Sequence, residues 1–240
     1  MTPPQVDAIR VRLESVQRRI AEAAWRSGRE PVAVRLVTVT KGHSVDTIRA
    51  AFSCGLRAFG ENRVEEALPK MAALADLNGV EWHLIGPLQS RKVQLVGTGF
   101  TLIHAVDRLK IARRLHEHAL GVDRPQPVLL ECNVSGESSK AGWRLDVEAS
   151  WESVLGELRE ISRLPGLSVR GLMTMAPLGA DSELQREAFR RLARLQEFLA
   201  ARLGCALPEL SMGMSDDFEV AVEAGATLVR IGRAILGERM

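Results

Sequence analysis

Eight short segments rich in β-branched and aromatic residues recur along this chain, and stretches with apolar residues three and four apart lie between them. That alternation limits the fold more than any other feature, because strands separated by helices pair in parallel and need a cover on their outer face. The strand-like segments are Val34 to Thr40, Leu56 to Gly60, Glu81 to Ile85, Leu102 to Ala105, Val128 to Val134, Ser168 to Met173, Glu209 to Met212 and Thr227 to Ile231. Leu184, Ala188, Leu192, Leu195 and Leu199 form one apolar helical face; Val147, Trp151, Val154, Leu158 and Ile161 form another, stopped by Pro165-Gly166. A further helix, with Val6, Ile9, Leu13, Val16, Ile20 and Ala24 on one side, precedes the first strand. Eight βα units without a long insertion predict an α/β fold: one (β/α)8 TIM barrel spanning residues 1–240, with an extra N-terminal helix. An open doubly wound sheet is the competing topology. It lacks support, since no G-x-G-x-x-G follows the first strand and no G-x-x-x-x-G-K-[ST] occurs.

Charge and cysteine content exclude several function classes. The 240 residues carry a net charge of +2, with 32 Lys and Arg against 30 Asp and Glu and no block of like charge, so nucleic acid is not an expected partner. No stretch approaches membrane-spanning length, and the first residues lack the basic and apolar regions of an export signal. Cys54, Cys132 and Cys205 lie far apart, without zinc spacing or a disulfide framework. These features predict a cytoplasmic protein with reduced thiols and no metal. With each helix covering the barrel, no long apolar stripe is left over, which predicts a monomer.

Barrel active sites lie where the strands end. The first strand ends in Lys41 and then Gly42, in a chain with only five lysines against 27 arginines. A lysine desolvated there can lose its proton near neutral pH and attack an aldehyde; the competing reading is a stem that reaches water and does nothing. The second strand ends at Gly60-Glu61-Asn62, and the third carries His83 toward Gly86-Pro87. His83 suits an acid or, equally, a hydrogen-bonded core histidine. The fifth strand leads into Ser135-Gly136-Glu137-Ser138-Ser139-Lys140, the sixth into Met173-Thr174-Met175. Ser211, Ser215 and Asp216 after the seventh, and Arg230, Gly232 and Arg233 after the eighth, form an anion-binding pattern in the usual barrel phosphate position. An amine and an anion cradle at one mouth fit a phosphorylated aldehyde, either pyridoxal 5'-phosphate or a sugar phosphate.

Several runs carry a family resemblance: Val37-Thr38-Val39-Thr40-Lys41, Phe59-Gly60-Glu61-Asn62-Arg63, Trp82-His83-Leu84-Ile85-Gly86-Pro87-Leu88-Gln89-Ser90, Gly171-Leu172-Met173-Thr174-Met175, Leu210-Ser211-Met212-Gly213-Met214-Ser215-Asp216-Asp217 and Val229-Arg230-Ile231-Gly232. In this order the chain resembles the pyridoxal phosphate homeostasis proteins from about residue 30 onward. The resemblance implies the N-terminal barrel of alanine racemase, with pyridoxal 5'-phosphate held as an internal aldimine. Lys41 would then be the Schiff-base lysine, Arg230 would face the pyridine nitrogen, and Ser211, Gly232 and Arg233 would bind phosphate. Asn62, His83, Met173 and Ser215 would line the pocket. Arg233 departs from the family pattern, in which many members have a threonine; its amide can still reach phosphate.

An arginine facing the pyridine nitrogen leaves the ring a weaker electron sink than a carboxylate would. The related racemases use a tyrosine from a second domain, whereas this chain contains no tyrosine. The expected function is therefore a pyridoxal phosphate carrier and regulator in vitamin B6 and amino-acid homeostasis, with apo-enzymes as partners; Lys140, in a glycine- and serine-rich loop, is by default a solvated charge and in the competing reading a second amine that hands on the aldehyde. The alternatives are a weak amino-acid racemase with His83 or Cys132 as second base, and a Schiff-base aldolase acting on a sugar phosphate.

Overall fold

The computed structural model describes residues 3–97, 99–120, 124–177 and 179–238. Its strands are β1 (Arg35–Val39), β2 (Ala58–Glu61), β3 (Glu81–Leu84), β4 (Leu102–Val106), β5 (Gln126–Asn133), β6 (Trp143–Arg144), β7 (Leu167–Met173), β8 (Glu209–Ser211) and β9 (Leu228–Ile231). They pair in parallel in the order β4-β3-β2-β1-β9-β8-β7-β5, and a β4–β5 pairing closes the ring. The eight-stranded barrel predicted from the alternation is therefore present. Its helices are α1 (Pro3–Arg26), α2 (Val45–Ser53), α3 (Val64–Ala73), α4 (Leu109–Ala119), α5 (Leu155–Ser162), α6 (Ser182–Leu203), α7 (Phe218–Glu223) and α8 (Arg233–Leu236). α1 is the extra N-terminal helix, and it packs on α2, α7 and α8.

Two apolar layers result. Residues such as Ile48, Phe59, Ile103, Ile111, Leu130, Phe189 and Phe218 fill the space between strands and helices. Inside the barrel lie Val37, Leu102, Ala105, Leu129, Met173 and Leu228. Register partners on parallel strands point to the same face. Val37 pairs with Arg230, Leu102 with His83 and Met173 with Ser211, so these three polar residues share the barrel interior, while Arg35, the register partner of Leu228, opens to solvent at the start of β1.

The local structure departs from the sequence pattern in three places. A 3-10 turn, Ser90–Leu95, stands after β3 where a helix was expected, in a segment punctuated by Pro87 and Gly97. The apolar face beginning at Val147 splits into a 3-10 turn, Glu148–Val154, and α5; Val147 itself is exposed, and Trp151 Nε1 donates to the Leu145 carbonyl at 3.1 Å. The two-residue β6 beside Cys132 and Asn133 was not expected, and two residues are too few for any periodicity to register. Among the described residues no helix is long and apolar enough to cross a membrane.

Candidate functional site

The strand ends open on a cleft of about 550 Å³ lined by Lys41, Asn62, Ser215, Arg230, Gly232 and Arg233, with Val39, Ile85, Met175 and Met214 as apolar walls. Six of the residues singled out in the sequence thus come together. Lys41 stands two residues after the end of β1, and Gly42 turns the chain there with φ 73°, a left-handed conformation that a side chain would strain. At Gly232 a β-carbon would lie 3.1 Å from the Val39 carbonyl, so glycine lets the last strand's turn close against the first.

Three predicted pocket residues lie beneath the cleft instead. Ser211 is wholly buried, accepting from Arg230 at 2.6 Å and bonded to His104 Nδ1 at 2.8 Å. His83 and Met173 are buried inside the barrel, where their strand registers place them. Ser215 lines the cleft, and its Oγ accepts from the Ala234 amide at 3.3 Å. The Arg233 guanidinium is half exposed and donates to Asp216 at 2.5 Å, on the rim. Asp217 accepts from the Met214 amide at 2.6 Å and is buried, which raises its carboxyl above the ordinary range.

The Lys140 side chain is mostly shielded from solvent. Its Nζ lies 3.0 Å from Ser135 Oγ, 3.0 Å from the Met175 carbonyl, 2.6 Å from the Ala176 carbonyl and 2.5 Å from Glu137. It ties the loop after β5 to the loop after β7. Cys132 is buried against the helices, where desolvation pushes its thiol far up, so it is not a base at this mouth.

Sequence reasoning missed the groups that fix Lys41 in place. Lys70 of α3 donates to the Thr40 carbonyl at 2.9 Å and to Glu61 and Glu66 at 2.7 Å each. Glu61 also accepts from Thr40 Oγ1 at 2.5 Å, and Glu66 accepts from the Gly42 amide at 2.5 Å. One buried ammonium therefore holds the backbone on both sides of Lys41. Burial pushes the Glu61 carboxyl up, against the pull of Lys70 and Thr40. The signal in the sequence was faint: a lysine four residues after Glu66 reads as a surface helix pair.

Arg230 is the buried cation of the mouth. Besides Ser211 it donates to the Thr174 carbonyl at 2.9 Å, and burial lowers it to about 10, so it remains charged at neutral pH. Glu131 and Asp107 add a pair of buried carboxyls. Desolvation, helped by Asp107, pushes Glu131 up to about 7.

Residues 11–240 match the family described as alanine racemase, N-terminal domain. The pyridoxal phosphate homeostasis protein of Pseudomonas aeruginosa is 44% identical over 227 residues, covering 95% of this chain and 94% of that protein. The protein of that name in Escherichia coli K12 is 40% identical, with 95% of each chain covered. The chain belongs to the alanine racemase N-terminal domain family and, within it, to the pyridoxal phosphate homeostasis proteins. Among solved family structures, PipY of Synechococcus elongatus with PLP bound superposes with a TM-score of 0.82 at 36% identity, covering 95% of this chain and all of that one.

Two outcomes follow from these charges. Lys70→Met should lower stability by about 3–5 kcal/mol in urea unfolding, because it leaves Glu61 buried without its cation. Glu131 has a folded pKa above its ordinary value of 4.5, so its contribution is fully present below that value and is lost as pH rises through about 7. Relative to Glu131→Gln, the wild type should therefore lose stability, on the order of 3 kcal/mol, between those limits when unfolding is measured across pH.

Proposed function

We propose that this chain binds pyridoxal 5'-phosphate and serves as a carrier and regulator of that cofactor in vitamin B6 and amino-acid homeostasis. One observation carries the reading. A single cleft unites the Lys41 amine at the end of β1, the buried Arg230 guanidinium and the polar Ser215-Gly232-Arg233 edge between apolar walls. Those groups fit the cofactor's aldehyde, ring nitrogen, phosphate and flat apolar ring in turn, and the cleft volume lies within the ordinary range for small-molecule sites. When bound, the cofactor supplies an aldehyde that an amine captures and a ring that withdraws electrons.

Lys41 holds the cofactor covalently, with its backbone fixed by Lys70. Arg230 donates toward the ring nitrogen and keeps its own proton. Ser215 offers the hydroxyl for phosphate, together with the Gly232 and Arg233 amides, since the Ser211 oxygen is already engaged by Arg230 and His104. Asn62, Ile85 and Met175, which line the same cleft, would border the ring. Lys140 acts as a clamp between loops, since delivery of its amine to a partner would break four contacts.

The cleft bears on the racemase reading with His83 or Cys132 as second base. Neither His83 nor Cys132 lines it, so the two candidate second bases for racemisation are out of reach. We further read the protein as a cytoplasmic monomer with three free thiols; its exposed large apolar side chains, such as Trp25, Leu120, Val147 and Leu184, are scattered over separate elements.

Lys41→Ala should abolish the visible band formed on titration with pyridoxal 5'-phosphate while leaving the far-UV spectrum unchanged. Ser215→Ala should weaken binding about tenfold, the usual worth of one hydrogen bond to a charged acceptor. Retention of the band in the alanine variant at position 41 would refute the assignment. In deuterated water the loaded protein should exchange the α-proton of alanine no faster than the free cofactor does. Faster exchange would favour the racemase.

A further inference from the structure

A continuous line of polar side chains crosses the barrel from its cleft to its opposite face. Arg230 donates to Ser211 Oγ at 2.6 Å; Ser211 Oγ lies 2.8 Å from His104 Nδ1; His104 Nε2 lies 2.9 Å from His83 Nδ1. His83 Nε2 then faces Glu81 Oε2 at 3.6 Å, and that buried nitrogen has no nearer partner among the described residues. Arg230, Ser211, His104 and His83 are each at most 4% exposed, whereas the Glu81 carboxylate is half open to solvent at the start of β3. A line of this kind is not needed to fill space. Leu and Met fill the same layers elsewhere in this barrel.

The direction of the protons follows from both ends. A guanidinium only donates, so Ser211 Oγ accepts from Arg230 and its own hydroxyl hydrogen needs an acceptor, which His104 Nδ1 provides. At the far end the group facing His83 Nε2 is the Glu81 carboxylate, 3.6 Å away and just beyond hydrogen-bond length; its negative charge favours a hydrogen on Nε2, which leaves Nδ1 as a lone pair. His104 satisfies both neighbours as a neutral ring with its hydrogen on Nε2. Burial, helped by the Arg230 and Arg35 charges, holds His104 well below the usual imidazole value and so keeps it neutral. Every donor in the line then points from Arg230 toward Glu81.

We propose that Ser211, His104 and His83 are positioning residues forming a one-directional hydrogen-bond relay, anchored by the nearby Glu81 charge, that fixes the rotation of Arg230 and keeps its remaining donors aimed into the cleft. Ser211 Oγ takes the Arg230 Nη1 group and the Thr174 carbonyl takes Nη2, so the guanidinium plane is set before any ligand enters. The consequence for ligand affinity rests on the cofactor reading above, while the relay itself is a property of the protein alone.

Nitrogen-15 NMR of the histidine rings in the full, cofactor-free chain at neutral pH tests the relay directly. Both His83 and His104 should be Nε2–H tautomers; Nδ1–H on either ring would overturn the proposal. Glu81→Ala, at the open rim, should leave the fold intact and make His83 a mixture of tautomers, and an unchanged pure Nε2–H form would remove the anchor. Ser211→Ala, checked for folding by circular dichroism, should weaken pyridoxal 5'-phosphate about tenfold by freeing Arg230. Unchanged affinity would overturn the positioning role. If the wild type takes up no cofactor, the cofactor reading fails while the tautomers still decide the relay.

Discussion

Pairing of β4 with β5 is the constraint on which the rest depends, because it turns an eight-stranded parallel sheet into a closed barrel. Closure forces half of the strand residues inward and leaves no free edge. It also gathers the strand ends into one mouth, so residues as far apart in sequence as Lys41, Asn62, Ser215 and Arg230 border a single cleft. The chemistry of the mouth is therefore a product of the fold's symmetry, with each strand contributing what its last residues carry.

The barrel manages its charges by two distinct means. Lys70 is held by Glu61 and Glu66 within direct contact, a compact arrangement that fixes the turn around Lys41. Arg230 has no carboxylate in contact among the described residues; it is satisfied by a hydroxyl and a carbonyl, with Asp217 and Glu131 acting only through space. That difference matters for function. A guanidinium neutralised by a directly paired carboxylate would present little positive charge to a ring nitrogen, whereas one held by neutral acceptors keeps its field directed into the cleft.

The strand and helix rhythm, the barrel and Lys41 could be read from the sequence because each rests on a local pattern: β-branched runs, three-and-four spacing and a lysine placed directly after a strand. Ser211 and Ser215 could not be told apart in the same way. β8 has only three residues, too few to show which serine points into the barrel and which reaches its mouth. Lys70 and His104 were silent for another reason. Lys70 lies on an amphipathic helix and His104 in a strand whose neighbours are all apolar, so the meaning of each comes only from partners 30 and 107 positions away. The place of Lys140 was hidden in the same way: its loop is rich in serine and glycine, and the carbonyls that hold it belong to another strand's end.

The central claim is that Lys41 is the residue that takes the cofactor. Incubation with pyridoxal 5'-phosphate, reduction with borohydride and mass-spectrometric mapping of the peptides reads this directly. The account predicts one stoichiometric label, on the peptide containing Lys41. A label on Lys140 or another lysine, with Lys41 unmodified, would contradict it.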